Sequence, residues 1–297
     1  MSACRFRKVA IAATAFVLGF CVASHAGEVL LDRKAPSPTL GHDIPYRLYR
    51  PDPDPSGRKW PVVYLFHGLN GTERDWLDAG RLKETVDRLI ASRRIKPLIV
   101  VMPMAGNGWY VDNPVPGGAG ELSRAFTHDL VAHVEQSYTA APCRAARALG
   151  GLSMGGYGAL LYAMDNPARY AAAFGMSASI FRPMPEEADE RARRPTHMFN
   201  GAFGQPFDWQ RFNRWNLFPR LPTYIANPDR PALYLAVGED DFPGLKAGNM
   251  AFHKALTEAG VATPFRKDPG GHVWPLWDAQ LEPALIWLDG ILSASCP

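Results

Sequence analysis

Residues 149–158 read LGGLSMGGYG, and Gly151-Leu152-Ser153-Met154-Gly155 at their centre sets one serine between glycines two positions away on each side. Small and apolar residues precede it (Arg147-Ala148-Leu149), and a helix-like run, ALLYAM over 159–164, follows. A serine on a tight turn between strand and helix is pushed out of the fold, and its backbone is forced into a strained region. Gly151 and Gly155 relieve the crowding because they carry no Cβ. The helix starting at the serine also points unsatisfied backbone N–H groups toward whatever reacts there. A chain with this turn must pack a buried strand closely against a helix, which restricts it to layered α/β architectures.

Other segments extend that reading in a fixed order. Residues 61–66 (PVVYLF) read as a buried strand entering His67-Gly68-Leu69-Asn70-Gly71. Residues 232–237 (ALYLAV) form another, ending in Gly238-Glu239-Asp240-Asp241-Phe242, and 269–274 (PGGHVW) place a histidine in a glycine turn before the last helix. Serine, acid, histidine is the α/β-hydrolase order, distinct from those of chymotrypsin and subtilisin. Residues 98–102 and 172–176 supply further strands. Leu82, Val86, Leu89 and Ile90, and then Leu122, Phe126, Leu130 and Val134, recur at helical spacing. Strands alternating with helices predict a mostly parallel sheet covered on both faces, with an antiparallel edge from 29–54. Residues 181–227 break the rhythm with an aromatic-rich insertion before the acid-bearing strand. It is expected either to overhang the site as a short cap or to pack as an irregular helical excursion on the sheet edge.

Residues 1–26 have the form of a secretory leader: Arg5, Arg7 and Lys8, then a fifteen-residue apolar run, then Ser24-His25-Ala26. The run falls short of the about 20 residues of a membrane span. Cleavage near Ala26 is expected to give an exported protein with no stable membrane span and one catalytic domain, residues 27–297. The chain has 32 basic and 29 acidic residues; three basic and no acidic ones lie in the leader, leaving 29 of each. That balance offers no electrostatic case for nucleic acid or an anionic membrane. Of four cysteines, Cys143 and Cys296 remain after the leader, an even pair that permits one disulfide in an oxidising compartment. Oligomeric state is not legible.

Ser153 is the candidate nucleophile and His272 its general base, imidazole being the side chain that titrates in the useful range. His67 belongs to the HG turn and is expected to shape it. His128, His133, His197 and His253 fall on helices or in the insertion as surface or packing residues. No H-E-x-x-H or other metal-ligand spacing occurs, and no cofactor is implied. Asp240 and Asp241 both qualify by position as the acid, and Asp268 lies too close to His272 in sequence. The oxyanion donors are expected to be the N–H groups of Met154 and Leu69. Trp109, Tyr110 and Trp274 are candidate walls for an acyl or alcohol pocket, with packing as the alternative for each.

The FHGLNG turn, the MP…GWYVDNP loop, GLSMGGYGAL, GEDDF and GGHVWPLW together resemble the esterase D-like esterases of the α/β-hydrolase superfamily, over residues 37–292. That group includes tributyrin-type esterases, S-formylglutathione hydrolases, feruloyl and acetyl-xylan esterases, and mycolyltransferases. In the family pattern the acid stands three residues after the glycine and before an aromatic, and this resemblance selects Asp241. S-formylglutathione hydrolases tend to have histidine where this chain has Tyr157, and the family often has an acidic residue where Ala105 stands. The resemblance therefore implies an exported serine carboxylesterase acting on small or short-acyl esters through a Ser-His-Asp triad. The alternatives are an acyltransferase of the mycolyltransferase type, a carbohydrate esterase, and a non-catalytic scaffold.

Overall fold

A computed structural model describes residues 27–296 apart from 54–55, 114, 116 and 185–195. The expected leader lies outside the described residues, as do most of the charge-rich start of the insertion and the side chain of His197. Eight strands form one sheet: β1 (Glu28–Ala35), β2 (Ile44–Arg50), β3 (Val62–Phe66), β4 (Ile99–Pro103), β5 (Arg147–Leu152), β6 (Ala172–Met176), β7 (Ala232–Gly238) and β8 (Phe265–Asp268). Their spatial order is β1-β2-β4-β3-β5-β6-β7-β8. Only the β1–β2 and β2–β4 pairs are antiparallel; every pairing from β4 to β8 is parallel. This is the α/β-hydrolase fold.

The helices are α1 (Asp75–Asp78), α2 (Leu82–Ala91), α3 (Leu122–Arg124), α4 (Leu130–Ser137), α5 (Met154–Asp165), α6 (Trp209–Arg214), α7 (Leu221–Ala226), α8 (Pro243–Glu258) and α9 (Trp274–Asp289). A π-turn, Ala125–Asp129, joins α3 to α4. Apart from Arg147 at the start of β5, which pairs with Glu135, the central strands carry no charged residue, because side chains alternate between two covered faces. Val62, Tyr64 and Phe66 enter a core with α4, α5 and α8, whereas Val63 and Leu65 enter a second core with α2 and α9. Burial on both sides is what fixes the strand register, since a one-residue slip would exchange the two cores.

The insertion between β6 and β7 carries α6 and α7. Phe199, Phe203 and Phe212 are buried together, with ring centroids 5.1 to 5.6 Å apart, and Phe199 lies edge-on to Trp109 at 4.9 Å. Arg211 donates to Ala202 O, to Asp112 O and to Asn113 Oδ1. The insertion thus packs against the loop that follows β4, at the C-terminal end of the sheet. Among the described residues no helix is long and apolar enough to cross a membrane.

Cys143 and Cys296 form a disulfide with Cα atoms 5.6 Å apart, tying the segment before β5 to the chain end after α9. It spans 153 positions in sequence, so it removes much of the conformational freedom of the unfolded chain. Cys296→Ala is expected to lower the free energy of unfolding by about 2–4 kcal/mol, read from urea denaturation. Dithiothreitol should destabilise the parent by a similar amount and leave the variant unaffected.

Candidate active site

Ser153 sits on the turn from β5 into α5 with φ 54° and ψ −120°, a left-handed conformation costly for a residue with a side chain. Three hydrogen bonds hold it there. Its amide donates to Met176 O at 2.9 Å, and its carbonyl accepts from the amides of Ser179 at 2.9 Å and Tyr157 at 3.1 Å. The turn also lies hard against the end of β3. A Cβ at Gly155 would stand 2.4 Å from Phe66 O and 2.5 Å from His67 O, closer than any side chain can approach. The second glycine of the motif is therefore required by backbone contact.

The serine Oγ is 3.0 Å from His272 Nε2, and His272 Nδ1 is 2.9 Å from Asp241 Oδ1. An ionised carboxylate only accepts, so Nδ1 carries the ring proton and Nε2 presents its lone pair to the serine hydroxyl. Burial of Asp241 by itself favours the neutral acid. Hydrogen bonds from His272 and the Phe242 amide, the nearby Ser177 hydroxyl dipole and the charge His272 can carry together outweigh that penalty and hold the carboxyl below its ordinary value. Asp240 is exposed and Asp268 pairs with Arg266 and Gln280, so neither is the residue at the ring. The loops bearing acid and histidine touch, with Asp240 N–H donating to Gly270 O at 3.0 Å. A Cβ on Gly238 would lie 2.2 Å from that carbonyl, which explains a glycine at the end of β7.

Met154 opens α5, so its N–H lacks an intrahelical acceptor. Gly68 stands against the serine, 3.5 Å from an ideal Cβ to Ser153 Cβ, and Leu69 lines the same cavity. Met154 follows Ser153 directly in the chain, and Leu69 lines the cavity into which Ser153 opens. His67 braces this loop from within. Ala105 N–H donates to its Nε2 at 3.0 Å, so Nδ1 must hold the proton, which it donates to Gly68 O at 2.8 Å. Tyr110 Oη donates to the His67 carbonyl at 3.0 Å. Burial lowers the His67 pKa, the bond to Gly68 and nearby carboxylates opposing it only in part.

The cavity over Ser153 has a volume of about 890 Å³ and mainly apolar walls, among them Trp109, Phe181, Met198, Phe242, Leu245 and Trp274. Its lining includes no lysine or arginine among the described residues; Asp75 and His272 are its titratable groups. Asp75 spends its carboxylate on the Thr72 amide and hydroxyl. Trp109 fixes its indole by donating to Met198 O at 3.0 Å, and Trp274 stands edge-on to Trp76 at 5.4 Å. Tyr110 corrects the sequence reading. It is fully buried, stacked on Phe66 at 4.7 Å, and takes no part in the cavity wall. Its neighbour in sequence, Trp109, reaches the cavity because both residues have positive φ and the chain turns sharply between them.

Sequence reasoning missed Phe181, Met198, Phe242, Leu245 and Trp277 as lining residues. Only Trp277 carried a readable signal, three residues after Trp274 on the same helix face. The others come from a loop, the insertion and the start of α8, where no periodicity marks a wall.

Comparison with known proteins gives a consistent picture. A family model described as "Putative esterase" matches residues 37–288. Esterase MT1326 of Mycobacterium tuberculosis is 31% identical over 264 residues, covering 82% of this chain and 54% of that protein. The chain thus spans about half the length of this curated relative. An acetyl esterase of Caldicellulosiruptor saccharolyticus is 25% identical over 260 residues, covering 84% of this chain and 90% of that protein. Among solved structures, a ferulic acid esterase superposes with a TM-score of 0.74 and 26% identity, covering 91% of this chain and all of the other.

The His67 brace makes a prediction about pH. Folded His67 resists protonation while the unfolded chain takes up a proton below about pH 6.5, so stability is full above that pH. It falls as pH drops toward the lowered native value, by about 1.4 kcal/mol for each tenfold difference in proton affinity. His128 and His133, also pushed down by burial, add the same sign. His67→Asn should show a shallower fall in melting temperature between about pH 7 and pH 5, followed by calorimetry; curves of equal slope would remove His67 as a contributor.

Proposed function

This chain belongs to the "Putative esterase" family, and from that premise we propose that it is a serine ester hydrolase in which Ser153, His272 and Asp241 hydrolyse uncharged carboxylic esters through an acyl-enzyme. The observation that carries this reading is the pair of hydrogen bonds, 3.0 Å and 2.9 Å, linking the three side chains at the floor of an apolar cavity.

In the first half-reaction Ser153 Oγ attacks the ester carbonyl carbon as its proton passes to His272 Nε2. The carbonyl π electrons move to oxygen, where the N–H groups of Met154 and Leu69 stabilise the developing charge, each such donor being worth about 3 kcal/mol. Asp241 accepts the Nδ1 hydrogen throughout and stabilises the imidazolium without taking its proton. Collapse of the intermediate breaks the carbon–oxygen bond to the alcohol, which leaves with the proton from His272. In the second half-reaction water gives a proton to the same nitrogen as its oxygen attacks the acyl carbon; the acyl–Oγ bond then breaks, His272 returns the proton to Ser153 Oγ, and the carboxylic acid leaves.

The cavity composition supports a neutral substrate with an apolar group. An anionic acyl chain would shed its water there without meeting a lysine or arginine among the described residues. The acetyl esterase and ferulic acid esterase among the similar proteins point to small acyl and aryl-acyl esters respectively; both suit the lining. The Cys143–Cys296 bond and the leader-like residues 1–26 favour action outside the cytoplasm.

Ser153→Ala should cut p-nitrophenyl acetate turnover by at least about 10³-fold and abolish fluorophosphonate labelling, with the melting temperature preserved. Retained turnover would defeat the mechanism. A substrate series should favour p-nitrophenyl acetate, butyrate and feruloyl esters over a succinyl half-ester by about tenfold or more in kcat/KM, equivalent to about 1.4 kcal/mol. Equal rates for the charged chain would refute the neutral-substrate reading. An added alcohol acceptor that captured most of the acyl group would shift the reading from hydrolase to transferase.

A further inference from the structure

The short segment after β6 touches both ends of the proposed triad. Strand order places β6 between β5, which leads to Ser153, and β7, which leads to Asp241. Met176 O and Ser179 N–H bond the backbone of Ser153, and Ser177 N–H donates to Ala236 O of β7 at 2.7 Å. Ser177 itself is wholly buried and has φ 47°, an unfavourable conformation for a serine. Something other than local preference keeps it there.

Its hydroxyl has only one proton to give. Trp277 Nε1–H donates to Ser177 Oγ at 3.1 Å, and an indole nitrogen cannot accept in return. The serine proton must therefore find an acceptor elsewhere in a dry interior. Asp241 supplies an acceptor in need of one. Its side chain is completely buried, Oδ1 already takes His272 Nδ1–H and the Phe242 amide, and Oδ2 has no donor in strict hydrogen-bond geometry. An unpaired buried carboxylate oxygen is costly. The Ser177 hydroxyl nonetheless contributes to holding the Asp241 carboxyl in its charged form. A buried hydroxyl proton in want of an acceptor and a buried carboxylate oxygen in want of a donor thus stand at the ends of the neighbouring strands β6 and β7.

We propose that Ser177 is a positioning residue, which hydrogen-bonds Asp241 Oδ2 and, backed by Trp277, keeps the carboxylate aimed at His272 Nδ1. It touches no reacting atom. It acts by stopping the carboxylate from turning when His272 becomes charged, so its effect belongs to kcat. The proposal rests on the reading of Ser153, His272 and Asp241 as the catalytic groups.

Ser177→Gly is one probe, because glycine accepts the positive φ while losing the whole CH2OH group; Ser177→Ala, which removes only the hydroxyl, is the companion. With p-nitrophenyl acetate, both should lose about tenfold in kcat, with KM and melting temperature little changed. In an Asp241→Asn background the same substitutions should cost almost nothing further, since the carboxylate they orient is gone. Parental kcat in Ser177→Gly, or an equal loss in both backgrounds, would overturn the assignment. Failure of the triad reading is separable: it would appear as activity and fluorophosphonate labelling surviving in Ser153→Ala, whatever Ser177 does.

Discussion

The strained turn at Ser153 is the constraint on which the rest of the site depends. A backbone at φ 54° does not hold itself; here it is clamped by the carbonyl of Met176, the amide of Ser179 and the first turn of α5. The clamp works only if β3, β5 and β6 stand side by side in register and Gly155 lets the helix touch Phe66 O. Two dry cores fix that register. The geometry at Ser153 is thus a consequence of sheet packing, with strain at one residue opposed by burial spread over the whole sheet.

The same sheet order accounts for the histidine. Ser153 follows β5 and Asp241 follows β7, with β6 between them, so the two side chains start about two strand spacings apart, about 10 Å. An imidazole reaching in from the loop after β8 spans the gap. It is boxed by Phe242 at 5.0 Å and by Trp277, edge-on at 4.9 Å. Ser177 fills the remaining position above β6. Each parallel strand from β3 to β8 therefore delivers something to one end of the sheet. That is the usual consequence of parallel strands sharing a direction.

The cavity has a different origin. Its walls come from the loop after β4, the insertion and the starts of α8 and α9, and they share no sequence pattern. Phe242 and Val273 lie at its lining yet are 61% and 49% exposed, which leaves an apolar rim open to solvent. Such a rim suits a substrate whose apolar part extends past the reacting carbonyl.

Sequence alone determined the layered α/β class, the strand and helix order, and the residue types available for chemistry, because those depend on local turn chemistry and hydrophobic period. Ser153 and His272 stood out for the same reason: each sits in a glycine turn next to an apolar run. Asp240 and Asp241 could not be separated by spacing, and only a family resemblance chose between them. Packing made that difference physical, burying one carboxylate against the ring and leaving the other in solvent. Tyr110 and Trp109 were equal as sequence neighbours until a turn with positive φ sent one into the core and the other to the cavity. The tautomer of His67, the orphan oxygen of Asp241 and the seat of Ser177 were invisible in the sequence. Each is set by partners 38 to 100 positions away, and only a folded chain brings such distant groups within hydrogen-bond reach.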